Sequence, residues 1–232
     1  MARLYKTFNF LFVVLGYGIA SMTISVVMFG RLVLFYFLFA VFIYGALYVF
    51  NSIEDNLDIE AKIYNLQFRF VIISISFGII GLYLLSPETL PVVGTLILLN
   101  IIYSKFLKKM SVPLAIIIIA STGSLKILLG VILAGGSFAL FVPLLVCNYL
   151  SSVCFHSLRN HFKGALSIAV LKVLYVCSIT ALMFLTFYYS TTGSLIDMYI
   201  CIFYMLFCVI SLSVFVKNNI IGSAIINFMH LR

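Results

Sequence analysis

The stretch VPLAIIIIASTGSLKILLGVILA, residues 112–134, decides the class of fold. An α-helix needs ~20 predominantly apolar residues to cross a ~30 Å hydrocarbon core, and this run exceeds that length with a single charge, Lys126. It does not alternate apolar and polar at every second residue, as a barrel strand would. Working outward, similar apolar runs occupy 8–29, 32–50, 68–85, 90–104, 138–155, 165–188 and 195–216. A further candidate at 219–229 is too short to cross and is interrupted by polar residues. The sequence thus predicts an all-α polytopic integral membrane bundle of about eight transmembrane helices. It forms one transmembrane domain over residues 1–232, with weak halves at 1–110 and 111–232.

Composition points the same way. Apolar and aromatic residues make up 65% of the chain and charged residues only 9%. A soluble domain carries about 25% charged residues. Too little polar surface is available for a soluble enzyme, a disordered chain or a secreted disulfide scaffold. The five cysteines, Cys147, Cys154, Cys177, Cys201 and Cys208, lie inside apolar runs with no C-x-x-C pair. They read as small buried hydrophobes. Arg3 and Lys6 before the first apolar run imitate a signal peptide, but no clean cleavage site follows, so a retained first span is expected.

The net charge of +8 is read through topology. With a cytoplasmic N-terminus, the cytoplasmic segments hold Arg3, Lys6, Lys62, Arg69, Lys105, Lys108, Lys109, Arg159, Lys163, Lys217 and Arg232, eleven of fourteen cations. The opposite loops hold Arg31, while Lys126 and Lys172 lie within spans. This bias is the positive-inside pattern and predicts both termini in the cytoplasm. The basic surplus is therefore topogenic, and no nucleic-acid partner is expected.

Acids are concentrated in one place. Four of the six lie in Asn51-Ser-Ile-Glu-Asp-Asn-Leu-Asp-Ile-Glu60, at the cytoplasmic end of the second span. On a helix, Asn51, Asp55, Asp58 and Lys62 share a face at i, i+4, i+7 and i+11. Carboxylates packed this tightly repel unless solvated or bridged by a cation. Hard oxygen ligands at a membrane–water boundary suit Mg²⁺, which typically joins a few carboxylates to a substrate phosphate. Asp55 and Asp58, supported by Glu54 and Asn51, are the expected metal ligands.

Three other segments add to this reading. His156, Asn160 and Lys163 repeat the frame of Asn51, Asp55 and Asp58 near the end of the sixth span, with Arg159 beside them. Tyr103-Ser-Lys-Phe-Leu-Lys-Lys109 places Lys105, Lys108 and Lys109 on the face of the acid cluster, as a diphosphate clamp or a loop gripping lipid headgroups. Lys126, deep in a span, costs ~2.5–3.5 kcal/mol on insertion scales and is expected to face the bundle interior with an anionic partner, a substrate phosphate being one candidate.

Over residues 3–188 the chain resembles the UbiA-type membrane prenyltransferase superfamily. Asn51 and Asp55 match an N-D-x-x-D-x-x-x-D motif after the second span. Ser52 and Ile59 stand where that motif has Asp, with Asp58 one place early. Tyr103-Ser104 and the lysines after it match a basic tyrosine-serine loop after the fourth span. Gly164 fits the second motif, D-x-x-x-D with a following Gly, but His156 and Asn160 replace both Asp. The loop after the first motif is short and lacks the usual Arg-Pro segment. Segment 103–130, through Gly123-Ser-Leu-Lys126 and Gly130, resembles the polyprenyl-phosphate phosphoribosyltransferase branch, with Lys126 replacing Arg. His156-Ser-Leu-Arg159-Asn160 is loosely similar to that branch's basic second motif.

The resemblance implies a Mg²⁺-dependent transferase that moves a prenyl group from an isoprenoid diphosphate to an acceptor at the cytoplasmic face of the membrane. Asn51, Asp55 and Asp58 would be catalytic. Tyr103, Lys105, Lys108, Lys109, Lys126, His156, Arg159, Asn160 and Lys163 would bind substrate. The alternative within the superfamily is phosphoribosyl transfer from a sugar diphosphate donor to polyprenyl phosphate. Two readings from other classes stay open: a carrier of an anionic lipid or solute, and a catalytically degenerate relative acting as a protein partner.

Overall fold

The computed structural model describes residues 10–21, 26–55, 61–107, 112–159 and 168–190. Every element among them is helical. The elements are α1 (Leu11–Ala20), α2 (Val26–Tyr36), a π-helical segment (Phe37–Tyr44) and α3 (Gly45–Asp55). Then come α4 (Ala61–Leu85), a 3₁₀ turn (Pro87–Thr89), α5 (Leu90–Ile102) and a second π segment (Tyr103–Leu107). Last are α6 (Val112–Leu133), α7 (Phe138–Arg159) and α8 (Ile168–Ser190). Among the described residues, six helical stretches are long and apolar enough to cross a membrane: Phe29–Asp55, Ile63–Leu85, Pro87–Leu107, Pro113–Leu133, Phe138–Leu158 and Val170–Tyr189. This is the architecture of a polytopic helical membrane protein. The expected eighth span, 195–216, lies outside the described residues.

Of the expected first span, 8–29, the described residues include the apolar helix Leu11–Ala20, 10 residues, and the start of α2, while 8–9 and 22–25 lie outside the described residues. The Ser21 hydroxyl reaches the Gly18 carbonyl at 3.5 Å. The next described helix, α2, contains Arg31, which pairs with the turn after α4. Its Nη2 stands 2.8 Å from Glu88 Oε1 and donates to the Leu85 carbonyl at 3.3 Å. The expected fourth span, 90–104, is lengthened at both ends, by the 3₁₀ turn and by the second π segment, to 21 residues.

The described helices form two compact units. The first holds α2 to α5 and the two π segments. Its core includes Ala46, Phe50, Ile53 and Val71. A π turn spends its hydrogen bonds differently from an α turn, so neighbouring groups must satisfy displaced carbonyls. Ser74 of α4 does so, donating to the Phe42 carbonyl at 2.9 Å. One and two turns further on, Gly78 and Gly81 leave room for the π segment. A Cβ on Gly78 would lie 3.0 Å from the Leu38 carbonyl, and one on Gly81 would strike the Leu38 side chain. The other face of α4 is apolar and open, with Leu66, Ile73 and Leu84 outward, as suits a helix wetted by lipid.

The second unit holds α1, α7, α8 and most of α6. Its core joins Leu15, Ile127, Leu144, Phe155, Tyr175 and Leu182. Helices α1 and α6 cross at two glycines. A Cβ on Gly16 would run into the Ile127 backbone, and one on Gly130 into the backbone of Val13 and Tyr17. Small residues at a crossing let backbones approach where lipid offers no hydrophobic drive. Two residues past the end of α6, Gly135 has a φ of +78°, the left-handed conformation that closes a helix C-terminus.

Candidate functional site

The first unit has two polar ends. At one, Arg31 meets Glu88, while the Ser86 hydroxyl donates to the same carboxylate at 2.5 Å. At the other, α3 carries Asn51, Glu54 and Asp55 beside the second π segment. The apolar stripe Ala46, Phe50 and Ile53 faces the core, which leaves Asn51 and Asp55 on a flank one turn apart. Asn51 and Glu54 are half-buried and Asp55 is exposed. Asp58 lies outside the described residues.

The Ser104 hydroxyl contacts Asn51 Oδ1 across the helix pair and donates to the Asn100 carbonyl of its own helix at 2.8 Å. Ser104 is 3% exposed. The helix of the first acidic motif and the tyrosine-serine segment are thus side by side. Tyr103 is half-buried and Lys105 exposed, with its Nζ 5.8 Å from the centre of the Phe106 ring. Lys108 and Lys109 lie outside the described residues.

Deeper in the span, the Asn100 side chain is a hydrogen-bond partner of Tyr44. Asn100 Nδ2 also donates to the Leu96 carbonyl at 2.9 Å. Sequence reading missed Tyr44 and Asn100 and gave Ser104 no role of its own. The available signal was spacing. Asn100 and Ser104 are four apart in an apolar run, so they share a face.

The second unit contains the other described candidates. Lys126 is 5% exposed on α6. Two residues earlier, the Ser124 hydroxyl donates to the Leu145 carbonyl at 2.9 Å and accepts from Asn148 Nδ2 at 3.1 Å. Gly123 makes room for that amide, since a Cβ there would lie 3.3 Å from Asn148 Nδ2. On α7, Asn148, Ser152 and His156 are spaced by four and all buried. The imidazole of His156 packs edge-on to the Phe155 ring, with centres 5.3 Å apart. Asn148 was missed by sequence reading, although it is eight residues before His156 on the same helical stripe. Arg159 ends α7, while Asn160 and Lys163 lie outside the described residues.

Among the described residues no three His, Cys, Asp or Glu side chains converge. The oxygen donors at the first-unit mouth are Asn51 and Asp55, with Glu54 adjacent to Asp55. Hard oxygen donors of mixed charge are the type that Mg²⁺ takes, completed by water and substrate phosphate. Compared with known protein families, curated proteins and solved structures, the chain matches none.

Proposed function

We propose that this chain is a UbiA-like, Mg²⁺-dependent membrane transferase that moves a prenyl group from an isoprenoid diphosphate to an acceptor. The observation that carries the reading is the Asn51–Ser104 contact, which sets the first acidic motif beside the tyrosine-serine segment within one unit. Asn51, Asp55 and Asp58 would hold the metal, with Glu54 in support. When bound, Mg²⁺ supplies neutralisation of the charge that grows on a departing diphosphate.

The chain's own residues supply the rest. Lys105, and with it Lys108 and Lys109, offer ammonium groups to diphosphate oxygens, an electrostatic contribution that grows as the leaving group gathers charge. Tyr103 borders the same segment. The apolar interior of the bundle shelters the isoprenoid and excludes water from a reactive allylic centre. The positive-inside bias supports a cytoplasmic location for this mouth and for both termini.

Replacing Asp55 with Asn tests the reading in membranes incubated with isoprenoid diphosphates and candidate acceptors. We expect normal expression and a product yield lowered at least about 100-fold, the scale of losing an electrostatic group from a transition state. Unchanged yield in both Asp55→Asn and Asp58→Asn would remove the metal assignment. Transport of cargo into vesicles without chemical change would instead favour a carrier. Absence of both activities, together with no Mg²⁺-dependent binding of a diphosphate analogue, would favour a non-catalytic relative.

A second reading is phosphoribosyl transfer to polyprenyl phosphate. It is favoured by Lys126, a cation buried inside a span within the segment that resembles that branch. A buried intramembrane cation marks a functional group by default, and a lipid phosphate is a fitting counter-charge. Accumulation of polyprenyl phosphate on gene deletion would select this reading. Loss of a prenylated aromatic would select the first.

A further inference from the structure

Helix α7 carries a heavy polar load for a membrane span. Asn148, Ser152 and His156 stand one turn apart on one stripe, and each is 8% exposed or less. The stripe begins against α6, where Asn148 Nδ2 donates to the Ser124 hydroxyl at 3.1 Å. Other hydroxyls of these spans are spent on their own helix. Ser121 bonds the Ile117 carbonyl, Ser151 the Asn148 carbonyl and Ser178 the Tyr175 carbonyl. The buried Ser152 hydroxyl makes no hydrogen bond among the described residues. Such a group costs free energy in a bilayer, where no water replaces the lost bond. A ligand that accepts from it recovers that cost.

Lys126 stands on the other wall, 5% exposed. Helices α6 and α7 run antiparallel, joined by the turn at Gly135 and meeting where Ser124 bonds the Leu145 carbonyl. Side chains on a helix lean toward its N-terminus. Lys126 therefore leans over Gly123, three positions back, which faces the Asn148 amide. His156 leans back along α7 toward Ser152. In an antiparallel pair these two directions converge. Among the described residues the second unit has no carboxylate. Ammonium, hydroxyl and imidazole are all hydrogen-bond donors, and the first is a full positive charge.

We infer that Lys126, Ser152 and His156, aligned by the Asn148–Ser124 bond, form an anion site between α6 and α7 inside the membrane, and that it takes the phosphate of a phosphomonoester. The inference rests on the reading of Lys126 as a partner of a phosphate and adds the residues that surround that phosphate. It does not depend on the metal reading of the first unit. Bonds from these donors to phosphate oxygens are charge-assisted and gain from the dry setting.

The test uses the full chain in maltoside micelles, titrated by calorimetry with dodecyl phosphate and with inorganic phosphate. Dodecyltrimethylammonium, of equal tail and opposite charge, accounts for insertion into the micelle, and thermal unfolding tracks the folded state. We expect Lys126→Met to weaken phosphate binding at least about 100-fold, and Ser152→Ala and His156→Leu about 10-fold each. Ser151→Ala, which removes a hydroxyl turned to its own helix, should bind like the parent. Binding of dodecyl phosphate alone identifies a lipid headgroup as the ligand, and binding of inorganic phosphate as well identifies the free anion; either upholds the site. Loss in Lys126→Met with no change in Ser152→Ala and His156→Leu leaves the lysine reading standing and overturns the site. Equal loss in Ser151→Ala marks a packing effect and overturns it too. Affinity untouched by Lys126→Met, or a parent chain that binds neither probe, overturns both the site and the lysine reading.

Discussion

Arg31 and Glu88 close one end of the first unit through an ion pair of 2.8 Å between residues 57 positions apart. Both side chains are partly exposed, and such pairs contribute only about 0–1 kcal/mol. The Arg31 guanidinium also bonds the Leu85 carbonyl, which ends α4 and lacks a helical partner. Removing the cation therefore costs more than removing the acid. We expect Glu88→Gln to shift the thermal unfolding midpoint in detergent by no more than about 2 °C and Arg31→Met to lower it further. An equal or larger effect of Glu88→Gln would show that the carboxylate, through Ser86 and the turn, dominates.

Gly130 and Gly16 set the spacing of α1 and α6. Their missing side chains would meet backbone, not the flexible tip of a neighbour, so the helices must separate to accept a methyl group. Overpacking of this kind costs roughly 1–3 kcal/mol. Gly94 of α5 has nothing within 4 Å of a Cβ and serves as the control. Gly130→Ala should lower the yield of monodisperse protein and its unfolding midpoint, whereas Gly94→Ala should match or exceed the parent, since Ala favours helix. Size-exclusion chromatography with thermal unfolding reads both.

Much of this fold was legible because a bilayer admits few solutions. A long apolar run must be helical, and Ile116 to Ala120 or Ile72 to Ile80 cannot be read otherwise. The place of Arg31 was not legible: the obvious boundary mark, it lies inside α2 and pairs with Glu88 far along the chain. The sequence put the acid cluster and the 103–109 segment on one membrane face, but the contact of Asn51 with Ser104 was not legible, since no local rule links residues 53 positions apart. Tyr44 and Asn148 were missed for a related reason. A tyrosine or amide within an apolar run is indistinguishable from packing until the facing helix supplies its partner.

Ser74 gives a direct measure of what the π segment needs. Its hydroxyl is the donor to the Phe42 carbonyl, inside a turn whose own hydrogen bonds are rearranged. Interhelical hydrogen bonds within membrane bundles average about 0.6 kcal/mol, with a maximum near 1.7. A carbonyl displaced by a π turn has fewer local alternatives, so Ser74→Ala is expected toward the upper value. Ser121 bonds only the Ile117 carbonyl one turn back on α6, and Ser121→Ala should cost nearly nothing. Equilibrium unfolding in mixed micelles compares the two. Equal costs would mean that the π carbonyl finds another donor.

Lys126 separates the two transfer reactions. A buried ammonium in a span is retained at an energetic cost, which a role at a substrate would explain. Lys126→Met keeps the apolar stem of the side chain and removes the charge, and we expect it to stay folded. If Lys126 meets a lipid phosphate, the same variant loses turnover with polyprenyl phosphate by at least about 100-fold, and Lys126→Arg, which keeps the charge, retains more of it. Transfer of a prenyl group to an uncharged aromatic acceptor would be much less affected. The sequence offers one carboxylate beyond residue 116, Asp197, as a competing partner. In that case Lys126→Met would be destabilising and Asp197→Asn would restore the double variant. Unfolding midpoints of the two single variants and the double variant, set beside turnover with both acceptor types, therefore decide whether the buried charge serves a substrate or the fold.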